Sequence, residues 1–157
     1  MNLPFDTNIS VTTARAVKDY SGYENNATLN SSPQTPTWTS SGKLGGAYVF
    51  DGIDDVIILP NSYSLNNSYN LSITFWMKPK NITGVHYIIM NSDNMFAADG
   101  ELFTYIEDTR VYSFIDNPSN FVGQASVVVV NTWVFVSLVM YHENNYSLFV
   151  NGTYEAS

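Results

Sequence analysis

The chain has 157 residues, of which 45% are hydrophobic and 15% aromatic, a composition typical of a packed globular domain rather than a disordered chain. Its 14 acidic and 6 basic side chains give a net charge of −8. That balance argues against binding to nucleic acid, which requires a basic surface, and against docking on anionic lipid. An acidic surface that keeps the protein soluble is the simpler interpretation.

Cysteine is absent, which excludes disulfides, thiolate metal sites and cysteine catalysis. No apolar run approaches the length of a membrane span, so no membrane insertion is expected. A secretory signal is not recognisable either, and we therefore expect a mature segment or a cytosolic protein.

Short strands and loops are predicted for the N-terminal part of the chain. Residues 3–5 form a first strand, because proline is tolerated where a strand starts. Residues 27–29 form another brief strand. Residues 30–41 are predicted as a loop, since they contain two prolines and a single apolar anchor, Trp38.

A hairpin is predicted at residues 45–60. Two apolar runs, 47–50 and 56–59, flank the polar segment Asp51-Gly52-Ile53-Asp54-Asp55. An Asp-Gly pair between apolar runs is a strong hairpin signal, because glycine adopts the positive φ that tight turns require. Three carboxylates in five residues also make this turn a compact acidic cluster.

The clearest strand pattern covers residues 71–79. Leu71, Ile73, Phe75 and Met77 alternate with Ser72, Thr74, Trp76 and Lys78. Such alternation indicates a sheet that is buried mainly on one side.

Further strands are predicted at residues 86–90, 102–107, 110–115, 127–130, 132–141 and 146–150. Asp108-Thr109 would form the turn of one hairpin, and residues 142–145 that of another. The β-branched run at 127–130 predicts a strand covered on both faces. With many strands and no helical period, the predicted fold class is all-β, a two-sheet antiparallel sandwich or jelly roll.

Several motifs follow one another in a specific order: Asp19-Tyr20-Ser21-Gly22, Gly42-Lys43-Leu44-Gly45-Gly46, Phe50-Asp51-Gly52-Ile53-Asp54-Asp55, Thr74-Phe75-Trp76-Met77-Lys78-Pro79, Asn131-Thr132-Trp133 and Val150-Asn151-Gly152. Together they resemble the laminin G-like jelly-roll branch of the concanavalin A-like lectin/glucanase superfamily. In that family further strands follow the Val-Asn-Gly hairpin. The resemblance thus implies one domain over residues 1–157 that lacks its last strands in this chain.

Enzymatic activity is not expected, although glucanases share this fold. Retaining glucanases of the superfamily carry a Glu-X-Asp-X-X-Glu strand, which places alternate carboxylates on one face. The nearest match is the strand from Glu101 to Glu107, but Phe103 and Tyr105 occupy the intervening positions on that face. The motif therefore fails.

The resemblance implies one structural Ca²⁺, because members of the superfamily often hold this ion with loop carbonyls and acidic side chains. Carboxylate oxygens are ligands that Ca²⁺ accepts. The candidate metal ligands are Asp19, Asp51, Asp54 and Asp55. The alternative is that Asp51 and Asp54 cap turns through their own backbone.

Aromatic side chains are the candidate ligand-binding residues, since their faces stack on sugar rings. Trp76 lies on the polar side of its strand, and together with Tyr87, Tyr105 and Tyr112 it is predicted to line a concave ligand face. In β-sandwiches such residues are otherwise core or cross-strand pairs.

Sequons for N-glycosylation occur more often than expected. The 18 asparagines and the Ser and Thr content would give about three by chance. Eight are present, beginning at Asn8, Asn26, Asn30, Asn66, Asn70, Asn81, Asn145 and Asn151. A glycosylated extracellular surface is one interpretation, and an Asn-rich loop composition is the other. The Asn-rich, Lys-poor texture is also similar to that of secreted archaeal proteins.

Two functions remain open at this point. The first is a non-enzymatic recognition module at the cell surface or secreted, which binds glycans or proteins as part of a larger protein. The second is a structural glycosylated subunit of a surface layer or extracellular filament that uses the lectin fold as a scaffold. A homo-oligomer or filament completed by strand donation from a neighbouring copy is the expected partner in the second case.

Overall fold

The computed structural model describes residues 1–6, 16–61, 70–91, 102–115, 121–122, 127–141 and 145–156. The chain divides into two compact units, Met1–Ser68 and Tyr69–Ser157. Within the described residues every regular element is a β-strand, which confirms the all-β prediction. Among these residues no helix is long and apolar enough to cross a membrane.

Five short strands are present in the part of the first unit that the structure describes. They are β1 (Ala16–Val17), β2 (Ala27–Leu29), β3 (Thr37–Thr39), β4 (Ala47–Val49) and β5 (Ile57–Ile58). All pairings are antiparallel, in one sheet of order β1-β2-β5 and a second sheet of β3-β4.

The core of the first unit forms around buried apolar side chains of β1, β2 and β4. Val17, Ala27, Leu29 and Tyr48 are all less than a tenth exposed. The ring of Phe5 packs edge-on against Tyr48, with the ring centroids 5.3 Å apart. These contacts give the short strands a common hydrophobic centre.

Two predictions for this unit are wrong, the first strand at residues 3–5 and the loop at residues 30–41. Residues 3–5 are not a strand, because Phe5 has a φ of 61°, in the left-handed region that extended strands exclude. Its carbonyl instead accepts a hydrogen bond from the Trp38 indole N–H at 2.9 Å. Trp38 itself lies in β3 and not in a loop.

The hairpin predicted at residues 45–60 is also wrong. Strand β4 pairs with β3, whereas β5 pairs with β2, so the two apolar runs enter different sheets. The backbone N–H groups between them bond to side chains of their own segment: Asp51 N–H donates to Asp55 at 2.8 Å, and Ile53 N–H donates to Asp51 at 2.8 Å. The acidic segment is therefore a corner between two sheets and not a hairpin turn.

The described residues of the second unit contain eight strands. They are β6 (Asn70–Met77), β7 (Val85–Asn91), β8 (Leu102–Glu107), β9 (Arg110–Ile115), β10 (Phe121–Val122), β11 (Val134–Tyr141), β12 (Asn145–Val150) and β13 (Thr153–Ala156). They form two four-stranded antiparallel sheets with the orders β10-β9-β8-β7 and β13-β12-β11-β6.

One hydrophobic core joins these two sheets into a sandwich. Met77, Val136 and Leu148 from one sheet are buried in the same cluster as Ile106 and Val111 from the other. Strand β11 alternates strictly, with Val134, Val136 and Leu138 buried and the residues between them less so. The alternation predicted for β6 is confirmed, since its odd-numbered residues are the less exposed ones.

The strand predicted at residues 127–130 is wrong. Only Val128 is buried, at 1% exposure, while Val127 and Val129 are 69% and 55% exposed. Val128 N–H donates to the Thr109 carbonyl at 2.7 Å, which fixes the segment at one point without forming a ladder. A β-branched run therefore contributes one core side chain and three exposed ones.

Candidate functional site

Asp19 is the most enclosed of the four candidate metal ligands, with 2% of its surface exposed. One carboxylate oxygen accepts the backbone N–H groups of Asn2 and Ser21, at 2.6 and 2.9 Å. The other accepts the Ser21 hydroxyl at 2.7 Å and the Asn25 N–H at 2.9 Å. Protein donors thus fill the roughly four acceptor positions of a carboxylate.

The pKa of Asp19 reflects this enclosure. Burial by itself raises the pKa of the carboxyl, but the hydrogen bonds from Asn2, Ser21 and Asn25 outweigh it. They hold the pKa well below its usual range, so the group is ionised at neutral pH. Its negative charge is used to order the N-terminal segment and the following loop.

The other three candidate ligands do come together. Asp51, Asp54 and Asp55 each offer a carboxylate oxygen within 4.8 Å of the others, and Asp19 is not part of this group. Asp51 and Asp54 are exposed, and Asp55 is half-buried. Oxygen donors at this spacing are suited to a hard cation such as Ca²⁺.

Asp51 in this acidic cluster already accepts hydrogen bonds from the backbone. The Ile53 N–H and, at 3.3 Å, the Asp54 N–H both donate to the same Asp51 oxygen. These hydrogen bonds, led by that of Ile53, lower the pKa of Asp51 against the opposing effect of burial. The Asp54 carboxylate accepts no hydrogen bond from the described residues, which leaves it available to a cation.

Three of the four candidate aromatic residues share one face of the β10-β9-β8-β7 sheet. Tyr87 in β7 is opposite Tyr105 in β8, and Tyr105 is opposite Tyr112 in β9. Because their neighbours Ile106 and Val111 point into the core, these side chains point away from it. We call Tyr87, Tyr105 and Tyr112 the tyrosine row.

The rings of the tyrosine row are in contact. Tyr105 and Tyr112 stack, with centroids 5.1 Å apart and an interplanar angle of 15°. Tyr87 lies 5.7 Å from Tyr105 at an angle of 52° and is 52% exposed. The row is thus a continuous aromatic surface that crosses three strands and is open at the Tyr87 end.

Glu107 and Arg110 set the charge around the row. They face each other where β8 and β9 meet, and Glu107 lies two residues from Tyr105 on the same face. Burial is the main cause that raises the pKa of Tyr105, and the charge of Glu107 adds to it. The phenol of Tyr105 therefore stays protonated at neutral pH, as a hydrogen-bond donor and acceptor.

Trp76 does not join the tyrosine row, because it lies on the other sheet of the sandwich. It is 39% exposed, and its ring lies 5.1 Å from that of Phe135 on β11. On the same sheet Phe149 packs against Tyr154, with ring centroids 5.6 Å apart. Sequence reasoning missed Phe135, Phe149 and Tyr154, although the period-2 pattern of β11 and β12 places the first two on the Trp76 side.

The sequons fall in different environments. Asn26, Asn81 and Asn151 are exposed, and Asn30 is half-buried with its amide nitrogen 2.6 Å from the Gln34 side-chain oxygen. Asn81 lies in a loop, and Asn151 opens the turn between β12 and β13. Asn70 and Asn145 begin β6 and β12, while Asn8 and Asn66 lie outside the described residues.

A comparison with known families agrees with this architecture. A laminin G-like family model, described as concanavalin A-like lectin/glucanases superfamily, matches residues 50–157. The chain belongs to this superfamily. The matched range contains the eight strands described in the second unit, the tyrosine row and the acidic cluster.

The family sets the general class of the protein. Its fold is a two-sheet β jelly roll, which confirms the predicted fold class. A lectin/glucanase-like domain of this type is a carbohydrate- or protein-binding module, typically non-catalytic in its laminin G-like form. No curated protein and no solved structure gave a significant match to the chain.

Proposed function

We propose that the chain is a non-enzymatic extracellular module that binds glycans through the tyrosine row. The row itself carries the proposal: three tyrosines in register on adjacent strands form one aromatic surface, and Tyr87 is half exposed. Tyrosine combines an apolar ring with a hydroxyl, so it contacts both the C–H and the O–H groups of a sugar. Family membership supports this class of ligand.

Calcium has a separate, structural place in the proposal. Asp51, Asp54 and Asp55 would hold one Ca²⁺ at the corner between β4 and β5, where the cation would offset two of the three neighbouring negative charges. Isothermal titration with Ca²⁺, compared between the wild type and Asp54→Asn, tests this site. Equal heats for the two proteins, or none for the wild type, would remove Ca²⁺ from the proposal.

Extracellular location is supported by the sequons. Asn81 and Asn151 are exposed at a loop and a turn, where an oligosaccharide is accommodated without disturbing a strand. Mass spectrometry of the protein from its native source tests this point. Unmodified Asn81 and Asn151 would count against a glycosylated surface.

Glycan-array binding is the direct test of the function. The wild-type chain is expected to bind, and Tyr87→Ala to lose most of the signal. Tyr154→Ala is the matched control, because Tyr154 has the same 52% exposure but lies on the other sheet. No signal from the wild type, or equal loss in both variants, would contradict the proposal.

A second function is favoured by the aromatic side chains of the β13-β12-β11-β6 sheet. Trp76 and Tyr154 are 39% and 52% exposed there, and exposed aromatic rings suit contact with a neighbouring protein. In that case the chain is a structural subunit of a surface layer or filament. Concentration-dependent light scattering, abolished by Trp76→Ser and unaffected by Tyr87→Ala, would identify this function.

A further inference from the structure

The packing within the tyrosine row restricts how a ligand can use it. Tyr105 has Tyr112 stacked on one side and Tyr87 on the other, at centroid distances of 5.1 and 5.7 Å. A sugar that stacks on a tyrosine needs an open ring face. Tyr112 covers one face of the Tyr105 ring, since the two rings are nearly parallel at 15°, and Tyr87, tilted by 52°, crowds the other side, which leaves little room for a sugar to stack on Tyr105.

The part of Tyr105 that remains for a ligand is the edge that carries the hydroxyl. Side chains of a strand stand roughly perpendicular to the sheet, which directs the far end of each ring away from the backbone. A phenol hydroxyl has one donor and two acceptor positions, so it can serve a ligand in addition to a protein partner. The row therefore presents a line of hydroxyl groups across β7, β8 and β9.

The spacing of this line is set by the sheet. Neighbouring strands are separated by about 4.8 Å, and the ring centroids follow at 5.7 and 5.1 Å. One sugar unit of an extended polysaccharide has a similar length. A chain lying across the strands would thus bring successive sugar hydroxyls to successive tyrosines.

The charge near the tyrosine row distinguishes neutral from anionic polysaccharides. The hairpin of β8 and β9 has Arg110 as its one basic side chain, and Glu107 lies opposite it in register. The pair adds no net positive charge, and the chain as a whole carries −8. The negative charge of the protein would repel an anionic polysaccharide, whereas a neutral polysaccharide would not be repelled.

We propose that the tyrosine row binds an extended neutral polysaccharide that lies across β7, β8 and β9. The row recognises this ligand by hydrogen bonds from the tyrosine hydroxyls rather than by ring stacking. This inference rests on the proposed glycan-binding function and specifies its ligand and its mode. Tyr87, Tyr105 and Tyr112 each form a hydrogen bond with a different sugar unit.

Tyrosine-to-phenylalanine variants separate the two modes, because phenylalanine keeps the ring and removes only the hydroxyl. Affinity electrophoresis in gels containing a neutral glucan, xylan or mannan, with sulfated dextran and pectin as anionic probes, provides the measurement. Tyr105→Phe and Tyr112→Phe are each expected to weaken binding to the neutral polymer by about 3- to 10-fold, the value of one hydrogen bond. Tyr154→Phe is the control and should bind like the wild type.

Each other result has a definite meaning. If both phenylalanine variants bind at wild-type strength while Tyr87→Ala does not bind, the ligand stacks on rings and the hydroxyl mode is overturned, but the glycan-binding function stands. Stronger retardation by the anionic polymers would overturn the choice of a neutral ligand. Absence of retardation in every gel, together with an empty glycan array, would overturn the proposed function and this inference with it.

Discussion

The carboxylate of Asp19 and the backbone N–H of Asn2 form a hydrogen bond of 2.6 Å across 17 positions of the chain. A return contact holds the same two segments together, since Tyr20 N–H donates to the Asn2 carbonyl at 2.9 Å. The same carboxylate also orders the loop up to Asn25. One buried acid therefore ties the N-terminal segment to the loop that follows β1.

Replacing Asp19 by asparagine is expected to destabilise the protein strongly. In the wild type both carboxylate oxygens of Asp19 accept backbone N–H groups. The asparagine amide has an NH₂ group in place of one of these oxygens, so a donor would face a donor and one buried N–H would lose its acceptor. We expect the melting temperature to fall by roughly 5–10 °C in a thermal melt. Asp54→Asn, at an exposed carboxylate, should change it by no more than about 2 °C, and a similar loss in both variants would contradict the role of Asp19.

The lowered pKa of Asp19 makes its contribution depend on pH. The pKa in the folded protein lies below that of an unfolded aspartate, so the stabilisation is fully present above the unfolded value of about 3.9. It is lost progressively as the pH falls below about 4 towards the folded value. The difference in melting temperature between the wild type and Asp19→Asn should therefore shrink on acidification, and a constant difference would refute this account.

Gly46 is required by close packing. A Cβ atom at this position would lie 2.5 Å from the Phe5 carbonyl oxygen and 2.7 Å from the Trp38 indole nitrogen, the two atoms of one hydrogen bond. Gly46→Ala is expected to cost about 1–3 kcal/mol in chemical denaturation. Gly22→Ala, which meets no atom within 4 Å, is the control and should stay near the wild-type stability.

A buried pair of hydroxyls links β8 and β9. Ser113 Oγ donates to the Phe103 carbonyl at 3.0 Å and lies 3.0 Å from Thr104 Oγ1. Ser113→Ala removes both interactions and is expected to cost about 1–2 kcal/mol, whereas the isosteric Thr104→Val removes one and should cost about 1 kcal/mol or less. Urea titrations measure both values, and the reverse order would show that the Ser113–Phe103 bond contributes little.

Periodic segments were the part of the fold that sequence reasoning described well. The alternation in β6 and the hairpins β8–β9 and β11–β12 are where residue pattern and local turn chemistry alone determine the structure. Residues 45–60 failed for the opposite reason. An Asp-Gly turn is compatible with several partners, and β4 and β5 pair with strands that are distant in sequence.

The candidate site shows the same division. Asp51, Asp54 and Asp55 are close in sequence, and their proximity in space could be foreseen. Tyr87, Tyr105 and Tyr112 were named as candidates from the sequence, but their exact alignment could not be derived from it, because it depends on the register of β7, which has an irregularity between Tyr87 and Ile89. A shift of one residue would send Tyr87 to the opposite face of the sheet.

The partner of β6 in its sheet is β11, and this pairing has a kinetic consequence. Met77 lies opposite Val134 and Asn70 opposite Tyr141, so the ladder closes a loop that contains all of β7 to β10. Closing a long loop costs entropy before any contact repays it, whereas β8–β9 and β11–β12 need only short turns. We expect the two hairpins to form early and the docking of β6 to be the slow step, so a chain still emerging from the ribosome holds β6 unpaired until residues 134–141 have been synthesised.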